Sequence, residues 1–176
     1  MYIRFVIYLI LDLLANLTGY LINPILPLFA DRVGNLPKYL SWFQTYDSTL
    51  DGTEIRFISA TSWLRDSLGE PTSVLNRYVL RVLWLYRNNA YGFAYSVLGA
   101  KGPFTVLSAS GIEPSDRNPA VEGSRYTVFS STTGKKYFQY KSVKDRGNGK
   151  CFETSIGWKP TGQFVFRWTP FRKFNG

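Results

Sequence analysis

Asp47, Asp51 and Glu54 fall close together in the stretch WFQTYDSTLDGTE, residues 42–54. Carboxylates at this spacing can hold a hard divalent cation or share acid and base roles. The run DSTLDG sets Asp47, Thr49, Asp51 and Gly52 where a calcium loop would want them. Its twelfth position, however, is Ile58, where a bidentate Glu is needed. No nucleophile, general base or phosphate-cradling glycine motif accompanies the three acids. Asp and Ser close local turns through side chain to backbone bonds, so the expectation is a structural connector anchored by Trp42 and Phe43. A metal-dependent enzyme using these loop carboxylates ranks behind two non-enzymatic readings.

The rest of the composition narrows the chemistry further. Histidine is absent, which removes Ser-His-Asp and Cys-His catalysis and histidine-ligated zinc. The single cysteine, Cys151, has no second cysteine for an intramolecular disulfide, and no histidine is present to organise it as a nucleophile. A strand cysteine of structural type and a reduced, cytosol-facing module are expected, with no cofactor. The chain carries 21 basic and 12 acidic side chains, a net charge of +9. That suits an anionic partner: a lipid surface, an acidic protein or nucleic acid. Most of the excess lies beyond Gly102, where Lys135, Lys136, Lys141, Lys144, Arg146 and Lys150 gather around two turns, interleaved with Tyr137, Phe138 and Tyr140. These six are the candidate contacts for an anionic partner. Basic turns beside aromatics can bind single strands. Lysines also solubilise hairpins and protect sheet edges, and no RRM, KH or zinc-finger signature is present. Solvated surface is therefore favoured over a nucleic-acid groove.

The elements carrying these residues differ between the two halves. Residues 5–30 are largely apolar, carry a single charge, Asp12, and are long enough to cross a bilayer; the weak cleavage pattern and the single basic Arg4 fit a signal peptide poorly. At about 100° per residue, Arg4, Tyr8, Asp12, Asn16, Gly19 and Asn23 form one polar stripe. Ile7, Ile10, Leu14, Leu17 and Leu21 lie opposite. Three arrangements satisfy this pattern: a transmembrane helix whose polar edge meets another helix, a helix lying in the interfacial plane, or a helix covered by the protein's own domain. Asp12, Asn16 and Asn23 are the candidate helix-association residues. Pro24 and Pro27 end or kink the helix near Asn23.

Residues 31–71 form an irregular linker, and residues 72–98 a second, amphipathic helix with Thr72 or Ser73 as N-cap. One of its faces carries Ser73, Arg77, Arg81, Trp84 and Asn88, of which Arg77, Arg81 and Trp84 are candidate contacts to lipid headgroups. A Ser-, Gly- and Pro-rich loop, residues 108–124, precedes four short runs: RYTVFSS, KKYFQYKSV, KCFETSI and QFVFRWTPF. Hairpin-type connections separate them, and alternation puts Phe152, Thr154 and Ile156 on one face and Phe164, Phe166 and Trp168 on one face of the next strand. The expected fold is α+β: an N-terminal apolar helix, a second amphipathic helix and a C-terminal antiparallel four-strand meander, one aromatic face of which packs on the amphipathic helix. The expected organisation is 1–30 membrane or docking helix, 31–71 linker and 72–176 basic α+β module.

The segments LDLLANLTGYLINPILPLFAD, WFQTYDSTLDG, RVLWLYRNNAYGFAYSVLG and IGWKP together resemble an uncharacterised family of small proteins of tailed bacteriophages. The resemblance implies a viral origin and carries no catalytic residues. The leading expectation is a non-enzymatic phage accessory protein. Its apolar helix would dock at the host inner membrane, on the cytoplasmic face, with membrane lipid, other protein subunits or self-association as partners. The alternative is a virion structural protein whose apolar N-terminal arm is buried between subunits.

Overall fold

The computed structural model describes residues 1–64, 73–115 and 122–173. Thr72, residues 65–71 of the expected linker and residues 116–121 of the expected loop lie outside the described residues. The chain divides into two compact units: a sheet unit of Met1–Leu9 with Leu98–Gly176, and a helical unit of Ile10–Val97. One helix, α1 (Tyr2–Ile22), contributes its first turns to the sheet unit and the remainder to the helical unit.

Among the described residues the sheet has five antiparallel strands in sequential order, β1 (Phe104–Gly111), β2 (Gly123–Ser131), β3 (Lys136–Gly147), β4 (Lys150–Trp158) and β5 (Phe164–Lys173). The expectation of four strands is thus corrected to five. The additional one is β1, whose second half, SASG, read as the start of a loop. It is an edge strand, exposed along nearly its whole length, and it breaks register between Val106 and Ser108. A strand without a buried face has no need of the apolar–polar alternation that reveals strands in sequence. The β3–β4 connection follows from Asn148 and Gly149, both at positive φ, the conformation that tight hairpin turns require and these residues tolerate.

The aromatic face is covered differently from the expectation. The second amphipathic helix belongs to the helical unit; in the sheet unit the covering residues are Tyr2, Phe5 and Tyr8 of α1. Phe5 packs on Phe138, Trp158 and Phe164, and Tyr8 on Trp158 and Phe164. Trp158 is fully buried, and its indole donates to the Leu98 carbonyl at 2.9 Å. Arg4 closes this corner by lying 4.3 Å from the centre of the Tyr137 ring and donating to the Lys136 carbonyl at 2.6 Å. Gly157, at φ +108°, passes so close to β3 that a Cβ would lie 2.1 Å from the Phe138 carbonyl oxygen. Gly157→Ala combines a disfavoured dihedral with a clash against backbone, and we expect it to cost at least about 3 kcal/mol in urea unfolding. A loss below about 1 kcal/mol would mean that β4 takes another path there.

The helical unit holds α1 from Ile10, two 3-10 turns (Leu26–Phe29 and Lys38–Phe43), α2 (Ile55–Ala60), α3 (Val74–Arg87) and α4 (Tyr91–Ser96). Leu26, Leu36, Leu50, Phe57, Leu80, Trp84 and Leu85 are part of its core. The α1 helix stops at Ile22, and Tyr78 donates to the Pro24 carbonyl at 2.6 Å, fixing the exit. Ser73 caps α3 by accepting from the Asn76 amide at 3.1 Å. The expected single helix over 72–98 is two: the chain breaks at Asn88–Ala90, with Ala90 at φ +48° and the Asn88 side chain bonded back to the Trp84 carbonyl. Asn competes with helical backbone bonds through its own side chain, and here that competition ends the helix.

Candidate membrane-facing surface

The α1 helix is turned inside out relative to an ordinary amphipathic helix of a soluble domain. The polar stripe faces protein: Asp12 is 8% exposed, Asn23 is fully buried, and Gly19 is buried between them. The apolar stripe faces outward, with Ile3 79%, Leu17 60% and Leu21 72% exposed, and Ile7, Ile10 and Leu14 more than half exposed. Ile25, Leu28 and Phe29 extend the exposed apolar surface past the helix end. Length and composition alone would allow α1 to cross a membrane, but a core helix of a soluble protein buries its apolar side, and this one does the opposite.

Within the helical unit, Asn89 holds the polar stripe. Its amide nitrogen donates to the Asn16 carbonyl at 2.7 Å and lies 3.2 Å from Asn16 Oδ1, while its oxygen accepts from Asn23 Nδ2 at 3.1 Å. Gly19 leaves room for this side chain: a Cβ there would lie 2.0 Å from Asn89 Oδ1. Asn89 therefore meets part of this stripe inside the chain, while Asn23 Oδ1 stays buried with no hydrogen-bond partner among the described residues. In the sequence Asn89 is one more polar residue beside Asn88, and the stripe of asparagines on α1 is the signal that a polar partner exists.

Burial without a compensating cation pushes the Asp12 carboxyl up to about 6. Its folded state therefore holds the proton more tightly than the unfolded chain does. The ionised form opposes folding in full above pH 6, and the penalty is relieved as pH falls from about 6 towards 3.8. Asp12→Asn should thus be more stable than the parent at pH 7.5, by roughly 2–3 kcal/mol at most, and the advantage should shrink as pH is lowered through this window. Paired urea titrations at pH 7.5 and 4.5 measure it; an advantage that grew at low pH would contradict the assignment.

Of the expected headgroup residues, only Arg77 is exposed. It lines a groove together with Leu28, Asp31, Arg32 and Val74 and the Asp51-bound Arg81, so exposed apolar side chains there are accompanied by Arg32 and Arg77, with Asp31 beside them. Arg81 and Trp84 are not available for such contact. Trp84 packs edge-to-face on Phe57 in the core, and Arg81, 7% exposed, binds Asp51 through Nε at 2.6 Å and Nη2 at 3.0 Å. Helical spacing sets Arg77, Arg81 and Trp84 on one side of α3, but polar residue type alone does not make that side an outward one.

The loop carboxylates do not converge. Asp51 is held by Arg81 and Glu54 by Arg87 at 2.8 Å, while Asp47 is exposed. Trp42 packs on Phe93, and Tyr46 stacks on Tyr95 with ring centres 3.7 Å apart. Gln44 accepts from the Leu36 amide and donates to the Ser48 carbonyl, closing the loop from within.

The six basic candidates divide. Lys135 and Lys136 lie at the start of β3, and Lys144, Arg146 and Lys150 near its far end. Ten residues of strand, roughly 33 Å, separate Lys136 from Arg146. Tyr137 and Phe138 between them are buried and offer no stacking platform, and Arg146 lies over the Phe152 ring. Lys141 stands apart, half-buried in mid-strand. Cys151 is buried in β4.

A family model matches residues 1–174. The chain belongs to the family of unknown function DUF7338. The matched range of this DUF7338 member takes in the inverted helix, Asn89 and every strand of the sheet. No curated protein and no solved structure matches it.

Proposed function

We propose that this DUF7338 protein is a non-enzymatic accessory protein that seats on a membrane through the outward apolar face of α1. The observation carrying this reading is the inverted burial of the helix. Its inward edge is bound to folded protein from Tyr2 to Asn23, so only the outward face is free to meet lipid, and the helix lies in the interfacial plane rather than crossing the bilayer. The net charge of +9 favours an anionic cytoplasmic leaflet, and Arg32 and Arg77 supply headgroup contacts beside Leu28 and Val74. The resemblance to tailed-phage proteins directs the reading to the host inner membrane during infection.

Fractionation of infected cells tests it, with purified particles blotted in parallel. Recovery in the inner-membrane fraction and not in particles is expected. Recovery in particles at fixed stoichiometry would overturn the proposal in favour of a virion subunit whose apolar arm is covered by neighbouring copies.

A further inference from the structure

The polar face of the sheet carries an arrangement that the membrane reading does not use. Strand register places Arg125, Lys141, Ser155 and Arg167 side by side across β2, β3, β4 and β5. Three cations in one cross-strand row, two of them directly opposite each other, destabilise a sheet unless something offsets their charge. The row forms the wall of a concavity of about 440 Å³, which Lys159 also lines.

The arginines have carboxylate partners. Arg125 binds Glu113 at 2.9 Å, and the buried Glu153 serves both Arg167, at 3.7 Å, and Arg172. The lysines instead donate to neutral oxygens: Lys141 to the Pro114 carbonyl at 3.3 Å and Lys159 to Gln163 Oε1 at 2.7 Å. Arg125 Nε is buried with no hydrogen-bond partner among the described residues. Burial, and then the charge of Arg167, outweigh the nearby Glu153 carboxylate and bring the Lys159 ammonium down to about 8. Desolvating ammonium groups without a full counter-charge is costly. A bound anion would supply that charge.

We propose that this concavity is a binding site for a small phosphomonoester, its phosphate held between Lys141, Lys159 and Arg167. Two point-like ammonium groups and a planar guanidinium suit the several acceptor oxygens of a phosphate dianion better than a single carboxylate. Glu113 and Glu153 in the same wall disfavour the neighbouring phosphates of a nucleic acid strand, and they select a compact ligand. Extended polyanions would instead find the exposed lysines at the ends of β3.

Isothermal titration calorimetry of the full chain at pH 7 and constant ionic strength tests the site, with inorganic phosphate, glycerol 3-phosphate and a single-stranded oligonucleotide as probes. Saturable binding of both phosphates is expected, weakened at least tenfold in Lys159→Gln and in Lys141→Gln and unchanged in Lys135→Gln. Without phosphate, Lys159→Gln should melt at or above the parent temperature, because a repelling charge is removed; lysines serving the fold alone would lower it. No saturable phosphate binding, equal weakening in Lys135→Gln, or an oligonucleotide that binds in preference and is not displaced by glycerol 3-phosphate would each overturn the proposal.

Discussion

A variant with Leu14, Leu17 and Leu21 all replaced by Gln should lose vesicle binding while keeping its melting temperature. Each of these leucines is more than half exposed on the outward face of α1. Moving such a side chain from water into the acyl boundary is worth about 1–2 kcal/mol, so three together contribute about 4 kcal/mol, roughly a thousandfold in partitioning. The same residues make few contacts with the fold, so their loss leaves unfolding nearly unchanged. A helix covered by its own domain predicts the reverse, a loss of several kcal/mol in stability with no membrane phenotype. Co-sedimentation with anionic vesicles, paired with thermal melts, separates the two.

The second large effect concerns the interior of the helical unit. Asp51→Asn removes the carboxylate from a bidentate pair whose arginine side chain is 8% exposed. Gly34, at φ +89°, passes so close that a Cβ would lie 3.0 Å from Asp51 Oδ2 and 3.1 Å from Arg81 Nη2, so the chain is built around this pair. Asn keeps one acceptor oxygen for Arg81 but loses the charge and turns an NH2 towards the guanidinium, whose other acceptors are the Asp31 carbonyl at 3.3 Å and the Arg32 carbonyl at the limit of hydrogen bonding; the change should cost about 3 kcal/mol. Arg81→Met should cost less, because the abandoned Asp51 carboxylate is about one-third exposed and can be hydrated. The double variant Asp51→Asn, Arg81→Met should recover part of the first loss. A urea-denaturation cycle over the four proteins measures the coupling. Additive losses would show that the pair contributes nothing as a pair.

The last four strands and the N-terminal helix were legible because hairpin residues such as Asn148–Gly149, runs such as FVFRW and a long apolar segment carry strong local signals, whereas α2 and the break at Asn88–Ala90 carry none. Strand β1 was not, since an exposed edge leaves no alternation to read. The polar stripe on α1 is visible in the sequence, yet its meaning depends on what lies against it. Only the fold brings Asn89 to Asn16 and Asn23, across a long sequence separation. Arg81 and Trp84 failed for a related reason: Asp51 converts the polar edge of α3 into an interior one. The row of Arg125, Lys141 and Arg167 was invisible as a unit because strand register, not proximity in sequence, assembles it.

The most direct test of the membrane assignment is a depth profile along α1. Spin labels would be placed on cysteines introduced singly at Ile7, Leu14 and Leu21, in protein bound to anionic vesicles; Cys151 is buried in β4 and stays unlabelled in the folded chain. These positions repeat every seven residues and so share one face. An in-plane helix predicts similar, shallow immersion at all three, about 5–10 Å below the headgroups. Immersion deepest at Leu14 and shallow at Ile7 and Leu21 would mean that the helix crosses the bilayer, and labels that remain in water throughout would mean that its apolar face has another occupant.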